Sequence, residues 1–281
     1  LQFHKHSLFM NKYVKRIHNN NMEKKILVIY TQESPNSVVR KDFNYKRSKN
    51  YFYHLVASYY KSSFFFLPYG SFHKTKTAIQ TKIKTQEEFL KRTNSALAII
   101  SNCYYTQSVR LEYIEELKKY IQVDTFGKCY NNEINKEERI KKLKKYKFYL
   151  SFENTQCLDY ITEKYWETIP HGVIPIVMGY GKQLTGLIPN SYINVFDFSN
   201  PKALADYLKI LSSNETEYSQ YHEWRNEYSI NENSNASCDL LSEITRSLQN
   251  PLIVEDSTVH LMQNKSICLS IEAEKNQLLK N

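Results

Sequence analysis

No run of about 18 apolar residues occurs in this 281-residue chain, so the sequence encodes no membrane-spanning helix. The opening stretch LQFHKHSLFMNKYVKR is too polar to be the apolar core of a secretory leader. It begins with Leu rather than Met, which points to a fragment or an imperfect gene model. There is no CxxC pair, and no Cys/His set has zinc-like spacing, so no metal site is expected. No internal repeat is found. RNP, zinc-finger and helix-turn-helix signatures are all missing, so a nucleic-acid-binding reading rests on charge and tyrosine content alone.

What is present suits a folded, basic protein. Apolar residues make up 41% of the chain and aromatics 14%, enough for a sizeable core and too much for wholesale disorder. The length suggests about two domains. Net charge is +9, from 38 basic against 29 acidic residues. That balance suits an anionic partner such as nucleic acid, a membrane surface or a phosphorylated ligand, and equally a plain solvated basic surface. Five cysteines occur, at Cys103, Cys129, Cys157, Cys238 and Cys268; an odd count leaves at least one thiol free or joined to another chain. Sequons at Asn214, Asn235 and Asn264 matter only in a secretory chain.

Along the chain, residues 1–24 read as a ragged basic lead. KILVIY, from Lys25 to Tyr30, reads as a buried strand ended by the turn TQESPNS. SSFFFLPYG reads as another strand, stopped by Pro68 and Gly70. A domain boundary is expected near the end of the polar stretch SFHKTKTAIQTKIKTQ. After it, strands and helices alternate. ALAII, QVDTFG, YKFYLSF, VIPIVMG and YINVFDF read as strands, with Phe148, Leu150 and Phe152 on one face of the third. SVRLEYIEELKKY, NKEERIKKLKKY, DYITEKYWETI, SNPKALADYLKIL and EYSQYHEWRNEY read as helices, the fourth capped by Ser199 or Asn200 with Pro201 in its first turn. The alternation predicts an α/β fold with a parallel sheet covered on both faces. The tail after about residue 246 shows no strong pattern.

One stretch concentrates chemistry. LDYITEKYW places Asp159, Tyr160, Glu163 and Lys164 within six residues, just beyond YKFYLSF. Ligands of open α/β sheets sit beyond the carboxyl ends of strands, and helix N-termini suit phosphate. Lys164 would add a full positive charge, Glu163 could accept from sugar hydroxyls, and Tyr160 could stack or donate. The plainer alternative has Asp159 capping the helix and Glu163 and Lys164 as surface charges.

The run YKFYLSFENTQCLDYITEKYW, continuing through HGVIPIVMG and SYINVFDFSNPKALADYLKIL to YHEWR, closely resembles the donor-binding half of the α1,3-fucosyltransferases, the family 10 glycosyltransferases. The likeness begins at AIISNCYYTQSVRLEYIEELKKYIQVDTFGKC and spans roughly residues 95–225. Its Phe-Glu-Asn-(Ser/Thr) … Asp-Tyr-(Val/Ile)-Thr-Glu-Lys signature is highly specific, and HGVIPIV with Cys103, Cys129 and Cys157 is similar to the invertebrate and plant core type. The resemblance implies a GT-B fold of two Rossmann-like domains, with GDP-fucose held by the C-terminal one at residues 93–245 and residues 246–281 as a tail. It also implies Arg110 on the diphosphate, Tyr160, Glu163 and Lys164 as the donor-binding trio, and Asn154 in the same loop. No Asp-x-Asp stands at a strand end, and an Arg/Lys pair can stand in for a metal, so no obligatory metal or other cofactor is expected.

The same resemblance makes Glu33, in QESPNS, the candidate base that takes the acceptor hydroxyl proton in an inverting transfer to GlcNAc of a glycoprotein N-glycan. Residues 25–92 correspond to the acceptor domain, apparently truncated. Within SYYKSSFFFLPYG, Tyr60 replaces a family arginine, and Ser62 and Phe64 replace two acids. YNNEINKEERIKKL lacks the further cysteines of the family, so Cys103, Cys129 and Cys157 are expected to lack their usual partners. Two readings follow: an active transferase, or a donor-binding pseudoenzyme or inactive fragment. The resemblance implies no nucleic-acid partner, and a lumenal Golgi domain whose membrane anchor is missing from this chain.

Overall fold

The computed structural model of the protein describes residues 2–5, 27–35, 55–63, 65–75, 89–104, 106–180, 184, 186–231 and 267–280. The chain divides into two compact units, one of Leu1–Tyr69 with Asn233–Ile267, the other of Gly70–Glu232 with Cys268–Asn281. No helix among the described residues is long and apolar enough to cross a membrane.

The first unit carries a four-stranded parallel sheet: β1 (Gln2–Lys5), β2 (Leu27–Thr31), β3 (Leu55–Ser58) and β4 (Phe65–Phe66), in that order. β1 falls inside the stretch read as a basic lead. SSFFFLPYG, expected as a strand, contributes two paired residues among the described ones, Phe65 and Phe66. Ahead of them the chain makes a tight turn, in which the Ser58 and Ser63 hydroxyls bond each other and the Ser63 N–H donates to the Tyr60 carbonyl at 2.9 Å.

The second unit opens with β5 (Phe72–Lys74) and continues with β6 (Thr93–Ile99), α1 (Arg110–Leu117), β7 (Val123–Phe126), α2 (Lys136–Lys145) and β8 (Tyr146–Phe152). Then follow α3 (Glu163–Trp166), β9 (Ile174–Met178), β10 (Ile193–Asn194), α4 (Pro201–Ser213), α5 (Glu215–Gln220), β11 (Tyr228–Ile230) and α6 (Ile271–Leu278). Five strands form a parallel sheet in the order β10-β9-β8-β6-β7, while β5 and β11 pair antiparallel beside it in sequence but in a separate ribbon. The expected α/β fold with a parallel sheet is therefore present.

Both faces of that sheet are covered. Phe148, Leu150 and Phe152 of β8 join Ile174 and Ile176 of β9 under Tyr113, Ile114 and Leu117 of α1 and Leu204 and Leu208 of α4. On the other face Tyr146 and Tyr149 pack with Leu97, Leu143 and Val173. Lys147 is buried too; its ammonium donates to Asn94 Oδ1 at 2.8 Å and the Ser212 carbonyl at 2.6 Å, and burial pushes it down to about 8. A central parallel strand has no solvent face, so even its lysine must find internal acceptors.

Local chemistry sets the element ends. Asn135 and Glu138 form a capping box on α2, and Asn200 accepts from the Ala203 N–H at the start of α4, with Pro201 at its first turn. Three expected elements are shorter than their patterns. DYITEKYWETI yields only four α-helical residues before a 3₁₀ turn at Ile169–His171, where Pro170 and the left-handed Gly172 (φ 75°) end the helix. YINVFDF pairs only at Ile193–Asn194, because the Asn194 side chain accepts from the Phe196 N–H at 3.1 Å and turns the chain. EYSQYHEWRNEY breaks into α5, a 3₁₀ turn at Glu223–Asn226 and β11.

Two disulfides form among the described residues: Cys103 pairs with Cys129, and Cys157 pairs with Cys268. The second bond closes a separation of 111 residues, which removes about 4–5 kcal/mol of chain entropy from the unfolded state. It anchors α6, in the tail where the sequence shows no strong pattern. Glu274 of α6 is fully buried, accepts the Val109 N–H at 2.9 Å, and has its carboxyl pushed up to about 8 by burial. Its proton is held more tightly folded than unfolded, so its stabilising contribution is complete below the ordinary carboxyl range and lost as pH rises toward 8. The denaturant midpoint is expected to fall between about pH 5 and 8.5, less steeply in Glu274→Gln; equal slopes in the two proteins would refute this.

Candidate functional site

The site grows from the carboxyl ends of β6 and β8. β6 runs out into Ser101 and Asn102; β8 runs out into Glu153 and Asn154. Arg110, at the first turn of α1, ties these ends together. Its Nη1 donates to the Phe152 carbonyl at 3.1 Å and its Nη2 to the Asn102 carbonyl at 2.6 Å. The residue is only 2% exposed, and its buried Nε has no hydrogen-bond partner. Burial lowers its pKa, opposed by Glu153 and by the Tyr149 and Tyr160 phenols. A buried donor without an acceptor costs about 1–3 kcal/mol.

Glu153 anchors the second half. It is 2% exposed, and its Oε1 accepts from the Thr162 N–H at 2.9 Å and the Thr162 hydroxyl at 2.8 Å. Thr162, not Asp159, is the cap of α3: its side chain accepts from the Lys164 N–H. Asp159 instead sits in the left-handed region at φ 60°, one position before Tyr160, and its carbonyl accepts from the Ile161 N–H at 3.0 Å.

Lys164 lies between two carboxylates. Its Nζ is 3.0 Å from Glu153 Oε2, 3.0 Å from Glu163 Oε1 and 2.8 Å from the Thr162 hydroxyl. Burial alone would lower the lysine, but Glu153 and then Glu163 outweigh it and hold the ammonium above its usual range. For Glu163, burial raises the carboxyl while Lys164 lowers it, and the net shift is downward. The side chain of Glu153 is 2% exposed and that of Glu163 47%, so Glu163 is the partner that an incoming anion can displace.

Asn154 is buried, and its carbonyl accepts from the Gln107 N–H at 2.8 Å, which holds the loop before α1 against the end of β8. Tyr160 is 4% exposed and hydrogen-bonds through its N–H to the Cys157 carbonyl at 3.1 Å. Arg110, Asn154, Tyr160, Glu163 and Lys164 thus all lie in the second unit, at or just past the carboxyl edge of its sheet. Glu33 lies in the first unit, in the bend after β2, where its N–H donates to the Thr31 hydroxyl at 3.1 Å. Glu153 and Thr162 are the residues that sequence reasoning passed over. The signal was available in a carboxylate directly following a fully buried strand, and in a threonine immediately before Glu-Lys.

An ammonium and a guanidinium held at strand ends, flanked by a phenol and an exposed carboxylate, can grip a diphosphate and a sugar together. The family model described as "Glycosyltransferase family 10 (fucosyltransferase) C-term" matches residues 89–259. Glycoprotein 3-alpha-L-fucosyltransferase A of Drosophila melanogaster is 36% identical over 177 residues, which is 60% of this chain and 35% of that protein. 4-galactosyl-N-acetylglucosaminide 3-alpha-L-fucosyltransferase 9 of Homo sapiens is 30% identical over 188 residues, 66% of this chain and 50% of that protein. The matches thus span about a third to a half of the length of these relatives. A solved structure titled alpha1,3-fucosyltransferase with GDP-fucose superposes with a TM-score of 0.57 at 20% identity, covering 84% of this chain and 78% of that one, a likeness of fold.

Proposed function

Because the chain belongs to glycosyltransferase family 10, matched over residues 89–259, we propose that it binds GDP-fucose and transfers fucose to a GlcNAc of glycoprotein N-glycans in α1,3 linkage with inversion. The observation that carries this reading is the Lys164 ammonium, 23% exposed at the carboxyl edge of a parallel sheet and neutralised by two carboxylates. In the proposed mechanism the diphosphate takes the place of Glu163 on Lys164, and Glu163 turns to the sugar hydroxyls. Negative charge builds on the diphosphate as the bond to fucose breaks, and a fixed cation in a partly dry site stabilises it best. The Arg110 Nη1 and Nη2 already donate to carbonyls, so it offers the diphosphate its charge rather than an empty two-pronged fork. Tyr160 and Asn154 line the same pocket. With two cations supplied by the chain, no obligatory metal is invoked.

Glu33 is proposed as the base that accepts the acceptor hydroxyl proton while the acceptor oxygen attacks the sugar carbon and GDP departs. The two units are proposed as the two halves of a GT-B enzyme with a shortened acceptor half, working in the Golgi lumen. A second reading has a specific observation behind it. Tyr60, Ser62 and Phe64 stand where the family motif has an arginine and two acids, which favours a pseudoenzyme that keeps donor binding alone. GDP release from GDP-fucose, with and without a chitobiose-core glycopeptide, separates the two. Glycopeptide-dependent release with a matching gain in peptide mass identifies a transferase and its acceptor class. GDP binding without release identifies the pseudoenzyme, and no GDP binding removes both.

A further inference from the structure

We propose that Glu274 is a positioning residue for the donor pocket: from a helix outside the family-matched span it caps the helix that carries Arg110, and the Cys157–Cys268 bond holds it there. This rests on the donor-pocket reading above.

α1 begins without a cap of its own, since Val109 in the cap position makes no side-chain hydrogen bond to the helix. Helix starts leave N–H groups unsatisfied and favour negative or acceptor groups beside them. Glu274 Oε2 takes the Val109 N–H at 2.9 Å, 165 residues away in sequence. The neighbouring Ser108 hydroxyl donates to the Glu153 carbonyl at 3.0 Å and lies 3.4 Å from the Arg110 N–H. One residue on, Arg110 spans the Asn102 and Phe152 carbonyls. The Glu274 contact therefore falls on Val109, between Ser108 and Arg110.

The strap from Cys268 into α6 also meets the pocket loop. Cys268 bonds Cys157, three residues before Tyr160, and the Leu269 N–H donates to the Gln156 carbonyl at 2.8 Å. Ser270 then caps α6 by accepting the Ala273 N–H, and Lys275 pairs with Glu112 of α1 at 3.0 Å. The strap thus joins the Arg110 helix to the Tyr160 loop, the two pieces that must keep register for one diphosphate to touch both.

The test is GDP binding by calorimetry well below the unfolding range, with the full chain and its Glu274→Ala, Glu274→Gln and Cys268→Ser variants. Loss of the cap or of the clamp is expected to weaken GDP binding about fivefold at unchanged stoichiometry. Glu274→Gln keeps an acceptor oxygen and is expected to stay near the wild type, which a mere loss of packing would not predict. If Glu274→Ala and Cys268→Ser lower the unfolding midpoint but leave GDP affinity unchanged, the proposal is overturned. If the wild type does not bind GDP, the donor-pocket reading has failed, and amide exchange at Val109 and Arg110 decides the strap by itself. Faster exchange in Glu274→Ala supports the cap, and unchanged exchange refutes it.

Discussion

Replacing Glu33 by Gln is expected to cut glycopeptide-dependent turnover by about 10²–10⁴-fold while GDP affinity stays at its wild-type value. The substitution keeps shape and hydrogen-bonding reach but removes the ability to take a proton. Glu33 follows the carboxyl end of β2 in the first unit, whereas every proposed donor contact lies in the second, so the two readouts should separate cleanly. Its N–H bond to the Thr31 hydroxyl fixes the bend that carries it. Turnover comparable to wild type would take the base role away from Glu33. A transferase with no sensitivity at this position would point to another carboxylate in the first unit, whose acceptor motif already departs from the family at Tyr60, Ser62 and Phe64.

Lys164→Ala should be the most damaging change in the second unit, with GDP affinity down by about a hundredfold. Two causes add. The diphosphate loses a cation, and Glu153, 2% exposed, loses the ammonium 3.0 Å from its Oε2. Removing one member of a buried charge pair is costly chiefly because the other is left behind. Glu153→Gln combined with Lys164→Ala distinguishes the causes. If Lys164 serves only to neutralise Glu153, the double variant regains GDP affinity; if it touches phosphate, the affinity stays low. Wild-type affinity in Lys164→Ala would remove the lysine from the donor site altogether.

The same residues mark how far the sequence could be read. Asp159 looked like a cap because acids favour helix starts, and its spacing from the apolar run allowed it. Thr162 won the position because Glu153, nine residues earlier, takes both its N–H and its hydroxyl and fixes where the helix begins. Arg110 and Lys164 were singled out by motif and charge. Their working environments were not, since an Nη2 bond to the Asn102 carbonyl depends on two strand ends meeting. The partners of Cys157 and Glu274 could not be read from spacing, because contacts over 111 and 165 residues carry no local signature.

The sequence by itself determined the class of the fold. The short run YKFYLSF reads as a buried strand, and capping residues such as Asn135 and Asn200 act within a few positions of themselves. The tertiary structure decided everything that needed two distant segments. It chose Lys147 as a buried lysine with internal acceptors, built the cluster of Glu153, Thr162 and Lys164, and brought α6 back to finish the start of α1. Propensity and capping act over a turn or two of chain, whereas burial, charge pairing and cross-linking depend on which surfaces the completed sheet brings together.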